Sequence, residues 1–234
     1  MDEITYSRSL DKRIEEQVKR WQTDQKKKYK KPIRPVITIS RLPGAMASEL
    51  ADKLAKDLDI DLFDQEIVEK IAESADKSKR VVESLDEQDR SILEEWITAL
   101  GEDHMSAYEY LHALTNVVGA IGAHGHAIIV GRGASFILPK EVCLRVFVVA
   151  PLPVRIKNVM RKFNVSEREA SRQVMKLEAA AKAFIQKYFQ VDLMDPTNFD
   201  LVINTHSIDI DLAARIIKET YNTRHWYDYS GKNK

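Results

Sequence analysis

Arginines stand where the strand-like stretches of this chain run out. Arg41 follows VITIS, Arg132 lies between two glycines after AIIV, and Arg155 comes just after LRVFVVAP, with Arg161 further along the same segment, near Arg168 and Arg172. A guanidinium is a planar fork of donors that matches two oxygens of a phosphate. The stretch ITISRLPGAMASELADKLA (37–55) reads as a buried strand, a tight turn at Pro43-Gly44 and an amphipathic helix. The start of such a helix offers unpaired backbone amides and the positive end of its dipole, which together attract anions. Ser40, Arg41, Gly44, Ala45, Met46, Ala47 and Ser48 are therefore the candidate anion-binding residues of this turn. The competing reading pairs each arginine with a nearby carboxylate.

The elements that position these residues follow from periodicity. Val36–Ser40, Ile60–Phe63, 127–133, 144–151 and 200–205 read as strands. All but one are continuous apolar runs, as expected of strands buried on both faces in a parallel sheet with helices on each side. In such sheets ligands bind beyond the carboxyl ends of the strands, where the arginines lie. Helical patterns cover 45–58, 64–75, most of 78–124 with a break near Gly101–Asp103, 152–163, 166–189 and 209–221. Residues 7–31 form a further helical pattern, with Leu10, Ile14, Val18 and Trp21 in a narrow apolar stripe that docks on the main domain or on a second subunit. It ends in the lysine run KKKYKK, read as a solvated helix end.

Composition narrows the function classes. Thirty-six Lys and Arg balance thirty-six Asp and Glu, so no global field draws the chain to nucleic acid or membrane. No apolar run approaches the roughly 20 residues that span a bilayer, and the N-terminus is too charged for a signal peptide. The lone Cys143 lies in an apolar run and reads as a buried structural thiol, which suits a cytoplasmic location. Histidines 104, 112, 124, 126 and 206 show no metal-binding spacing, and no metal site is expected from them. Trp226–Tyr227 reads as a docking contact of the tail.

Taken in order, VITISRLPGAMASELADKLA, DIDLFDQEIVEKIAE, HAIIVGRGASFIL, VCLRVFVVAPLPVRIKNVMRKFNVSEREA and FDLVINT resemble the cytidylate kinase-like family, a branch of the P-loop nucleoside monophosphate kinases, over roughly residues 35–220. The resemblance implies an α/β fold of three layers, a five-stranded parallel sheet in the order 2-3-1-4-5. It also implies an α/β domain (32–222) with a helical acceptor-binding insertion (64–124) and a lid (152–190), which leaves an N-terminal helical extension (1–31) and a tail (223–234) outside the resemblance. By position, Gly44 and Ala45 with the amides through Ser48 would cradle donor phosphates, Asp64 and Arg132 would face the acceptor nucleotide, and Arg155 and Arg161 would reach the transferring group. ATP and a magnesium ion are the implied cofactors. A nucleotide or small phosphorylated ligand is the implied partner, with a homo-oligomer through the N-terminal helix as a further expectation.

The phosphate loop departs from the pattern G-x-x-x-x-G-K-[ST]. Met46 and Ala47 fall at the second glycine and the lysine, and Glu49 is read where a metal-binding hydroxyl is expected. Ser48 stands as a metal ligand or an ordinary polar helix residue, and Arg41 is the candidate within the loop to replace the lysine. Lys182 replaces an arginine in the lid segment EAAAKAF. Three readings stay open: a phosphotransferase, a scaffold that binds a nucleotide and acts through a partner without turnover, and a structural oligomer with an occluded loop.

Overall fold

The structure is a computed structural model and describes residues 3–25, 35–99 and 109–226. The lysine run, His104, Tyr227 and the break near Gly101–Asp103 lie outside the described residues. Five strands, β1 (Val36–Arg41), β2 (Asp61–Phe63), β3 (Ala127–Val130), β4 (Cys143–Val149) and β5 (Leu201–Asn204), form one parallel sheet in the order β2-β3-β1-β4-β5. This is the expected order. The helices are α1 (Glu3–Gln25), α2 (Ala47–Leu58), α3 (Gln65–Ala72), α4 (Ala75–Glu83), α5 (Glu87–Ala99), α6 (Glu109–His124), α7 (Ala134–Ile137), α8 (Leu152–Phe163), α9 (Glu167–Phe189) and α10 (Ile210–Thr223).

The central strands are apolar throughout because both sheet faces are covered. Ile37 and Ile39 of β1 pack with Leu50 and Leu54 of α2 and Ile217 of α10, while Ile129 of β3 joins the cluster built by α1 and α3–α7. Burying a leucine such as Leu50 contributes about 1.5–3 kcal/mol. On the second face, Thr38 and Ser40 avoid an unpaired polar burial through Ser135, whose hydroxyl lies 2.9 Å from that of Thr38 and 3.2 Å from that of Ser40.

Local chemistry sets the helix boundaries. Asp64 caps α3 by accepting from the Ile67 amide at 2.9 Å, Ser166 caps α9 and Asp209 caps α10. Asn164 ends α8 in the left-handed conformation. The apolar stripe of α1 is spent inside the chain. Leu10, Ile14, Val18 and Trp21 are buried, and Trp21 stacks on Phe63 and on His124, the latter at 4.0 Å between ring centres. Gln17 and Arg20 reach Asp61 at the start of β2. The stripe therefore docks on its own domain, and an oligomer through the same face would have to displace that packing.

Candidate functional site

The end of β1, the start of α2 and the turn after β3 meet at the carboxyl edge of the sheet. Between them and the helices α8 and α9 lies a cavity of about 720 Å³. Every residue proposed for the phosphate loop lines it, from Ser40 and Arg41 through Gly44, Ala45, Met46, Ala47 and Ser48. Arg132 and Arg161 line it as well.

The loop is shaped by two left-handed residues. Gly44 has φ +82° and Met46, which precedes the first turn of α2, has φ +59° with no side chain capping the helix. Only glycine fits at 44, since a Cβ there would stand 2.5 Å from the Arg155 carbonyl oxygen. The first amides of α2 lack acceptors within the helix by construction, so the loop presents donors to the cavity. A non-glycine left-handed residue costs of order 1–3 kcal/mol, and such strain clusters at ligand-binding turns.

The facing turn holds three successive positive φ values, at Gly131, Arg132 and Gly133. Gly131 lets Arg41 approach, for a Cβ there would lie 2.5 Å from an Arg41 guanidinium nitrogen. Arg41 donates to Gln65 Oε1 at 2.8 Å. Arg132 forms an ion pair with Glu69, and its guanidinium stands 6.0 Å from the ring centre of Phe184. Its Nε is buried with no hydrogen-bond acceptor. Burial pulls the Arg41 guanidinium below its ordinary pKa, with Asp64 opposing. Burial depresses Arg132 too, and the charge of Arg41 adds to it. A buried Arg41 beside an Arg132 that is half-buried, paired with Glu69 on one side and left with an unsatisfied N–H, favours an anion at this turn.

Arg155 and Asp64 fall elsewhere. Arg155 does not line the cavity. It is 5% exposed, with Nε donating to the Ala150 carbonyl at 2.9 Å, Nη1 to the Pro43 carbonyl at 3.3 Å, and Nη2 paired with Glu178 at 2.9 Å. Its fork is committed to holding the Pro43 turn against Glu178 of α9, which leaves no nitrogen of it free for the transferring phosphoryl group expected from the sequence. Asp64 spends a carboxylate oxygen on capping α3 and acts on Arg41 through its charge. Lys182 lies 2.6 Å from Glu178, and these contacts with Lys182 first and Arg155 second hold the Glu178 carboxyl below its usual pKa.

Glu49 also needs a correction. Counted from the lysine slot at Ala47, the hydroxyl position of the loop motif is Ser48, so Glu49 lies one residue beyond it. Sequence reasoning missed Gln65, Asn158, Lys162 and Phe184. Asn158 donates to the Gly44 carbonyl at 2.9 Å, and Lys162 pairs with Glu49 at 3.1 Å. The missed signal was the spacing of Arg155, Asn158 and Lys162, which puts them on one face of α8. Among the described residues no group of three His, Cys, Asp or Glu could hold a metal, and no helix is long and apolar enough to cross a membrane.

The model of the Cytidylate kinase-like family matches residues 36–207. A cytidylate kinase from Staphylothermus marinus is 28% identical over 95 residues, covering 41% of this chain and 54% of the relative. One from Desulfurococcus amylolyticus is 33% identical over 39% of this chain and 49% of the relative. In these matches the chain spans about half the relatives' length. One from Methanosarcina barkeri is 26% identical over 72% of this chain and 86% of its own. Among solved structures, an uncharacterized protein from Eubacterium ventriosum superposes with a TM-score of 0.65 at 21% identity, covering 82% of this chain and 99% of that one, which is a likeness of fold.

Proposed function

Because the chain belongs to the cytidylate kinase-like family, we propose that it is a nucleotide-binding phosphotransferase that moves a phosphoryl group from ATP to a CMP-like nucleotide or another small acceptor. The observation that carries this reading is the convergence of Arg41 and Arg132, the latter with an unsatisfied Nε, on the cavity that the uncapped start of α2 also faces. Phosphoryl transfer asks a protein mainly for alignment and positive charge. The amides of residues 46–48 would hold the donor phosphates, that of Ala45 being taken by the Leu42 carbonyl at 3.1 Å, and Arg41 with Arg132 the acceptor phosphate. Arg161, exposed on α8 at the cavity wall, would neutralise the migrating group.

The loop fits the phosphates of ATP through its backbone, since no side-chain hydrogen bond caps the first amides of α2. Magnesium fits as a companion of the nucleotide, with the Ser48 hydroxyl as the protein group at the motif's metal-binding position. When bound, it would neutralise donor phosphate charge.

A second reading has its own support. Ala47 replaces the loop lysine, and Glu178 engages both Arg155 and Lys182, so two lid cations point away from the cavity. A protein built this way would bind a nucleotide and act without turnover. A coupled assay for ADP formation with ATP, magnesium and CMP, dCMP or other small acceptors, run beside a thermal-shift panel of the same ligands, separates the two. Acceptor-dependent ADP formation supports transfer. Binding without ADP supports the second reading, and a panel with neither response refutes both.

A further inference from the structure

The one cation of the phosphate loop, Arg41, turns to Gln65 and the turn after β3, and the loop brings none to the start of α2, yet one face of α8 is laid against it. Arg155, Asn158 and Lys162 recur at the i, i+3 and i+7 positions of that helix. The first binds the Pro43 carbonyl at 3.3 Å, the second the Gly44 carbonyl at 2.9 Å, and the third the Glu49 carboxylate at 3.1 Å. The backbone of Gly44 also packs against that of Arg155. Two of the three contacts hold loop carbonyls and fix α8 on the loop. The third carries its ammonium to the first turn of α2, where the free amides gather, and it meets the lone carboxylate of that turn.

We propose that Lys162 is the replacement for the missing loop lysine and that Glu49 competes with polyphosphate for it. This deepens the proposed function and rests on it. Both side chains are about half exposed and both line the cavity, so the pair is cheap to open. Lysine suits the exchange: its ammonium is a point charge on a flexible stem that can swing from a carboxylate to a phosphate oxygen while its Cα stays fixed. Glu49 holds a negative charge at the positive end of the α2 dipole, the same place the donor phosphates would take. A polyphosphate entering the loop therefore displaces Glu49 from both the ammonium and the dipole. Glu49 sets how much negative charge a ligand must bring, which selects a di- or triphosphate over a monophosphate at this subsite.

The experiment is calorimetric titration of the full chain with ATP and with inorganic triphosphate, each with and without magnesium. The Lys162→Met change should weaken triphosphate binding at least 10-fold, Lys162→Arg should keep it within about 3-fold, and Glu49→Gln should tighten it 2- to 5-fold and admit inorganic phosphate more readily. Melting temperatures should stay within two degrees of the parent chain, because the pair is solvated. If the parent binds triphosphate and neither Lys162→Met nor Glu49→Gln changes the affinity by more than 2-fold, the proposal is overturned and the pair is a surface ion pair only. If the parent binds no nucleotide and no triphosphate, the proposed function falls, and this inference with it.

Discussion

Two turns at the same edge of the sheet face each other across the cavity, and they obtain positive charge in opposite ways. The turn after β3 carries its own arginine at a strained left-handed position between two glycines, buried against Glu69 and Phe184. The turn after β1 keeps the backbone geometry of a phosphate loop, but its lysine slot is Ala47, its own Arg41 turns to Gln65, and the cation at the helix start comes from α8. A charge built into a strained, covered turn is preorganised and hard to replace, whereas one reaching in from a neighbouring helix is adjustable and tolerates substitution. The arginines divide in the same way: Arg132 faces ligand space, and Arg155 is an internal clamp.

Several changes break this comparison or make it finer. Arg132→Ala should have the largest effect, lowering kcat/KM for the acceptor by about 10³-fold or more, or roughly 4 kcal/mol, with little change in melting temperature. Steady-state kinetics beside a melting curve check it. Arg155→Ala should do the reverse. It strips Glu178 of a buried partner and leaves the Pro43 and Ala150 carbonyls unpaired, so stability should fall by about 3–5 kcal/mol and the melting temperature by roughly 6–15 °C. Equal kinetic and thermal behaviour of the two variants would erase the division. Gly44→Ala should cost about 1–3 kcal/mol through its left-handed backbone and its contact with Arg155, and should weaken nucleotide binding with it, read by denaturant unfolding and titration.

The smallest effect concerns the interior that both turns share. Burial pushes the Cys143 thiol up to about 12, so thiol reagents at pH 8 should leave it untouched in the folded chain. Because the folded pKa lies above the unfolded value, this group's stabilising contribution is complete below the unfolded pKa of roughly 8.5 and is lost as pH rises from there toward 12. Thiol labelling also ranks the variants. Arg155→Ala should expose Cys143 far more often than Arg132→Ala does.

Much of this architecture was legible in the sequence, for physical reasons. Strands buried on both faces leave unbroken apolar runs, so VITIS, AIIV and LRVFVV announced the parallel sheet and its order followed from the family resemblance. The glycines beside Arg132 announced a turn that only special backbone geometry allows. What the sequence hid were choices among partners. Nothing local to Arg155 says that its fork will go to two backbone carbonyls and to Glu178 on a different helix, and backbone acceptors leave no mark on residue type. Gln65 was overshadowed by Asp64, whose carboxylate turned out to cap α3. The apolar stripe of α1 was visible, but the stripe alone could not tell a neighbouring subunit from the chain's own Phe63 and His124.

The central claim is that Arg41 and Arg132, two neighbouring guanidiniums on one cavity, bind one phosphate together. Calorimetric titration of CMP into the parent chain, Arg41→Ala and Arg132→Ala tests it most directly. The account predicts binding by the parent and at least 30-fold weaker binding by each variant, with the double variant losing less than the sum of the two because the pair acts as a unit. CMP affinity that is the same in all four proteins would contradict it.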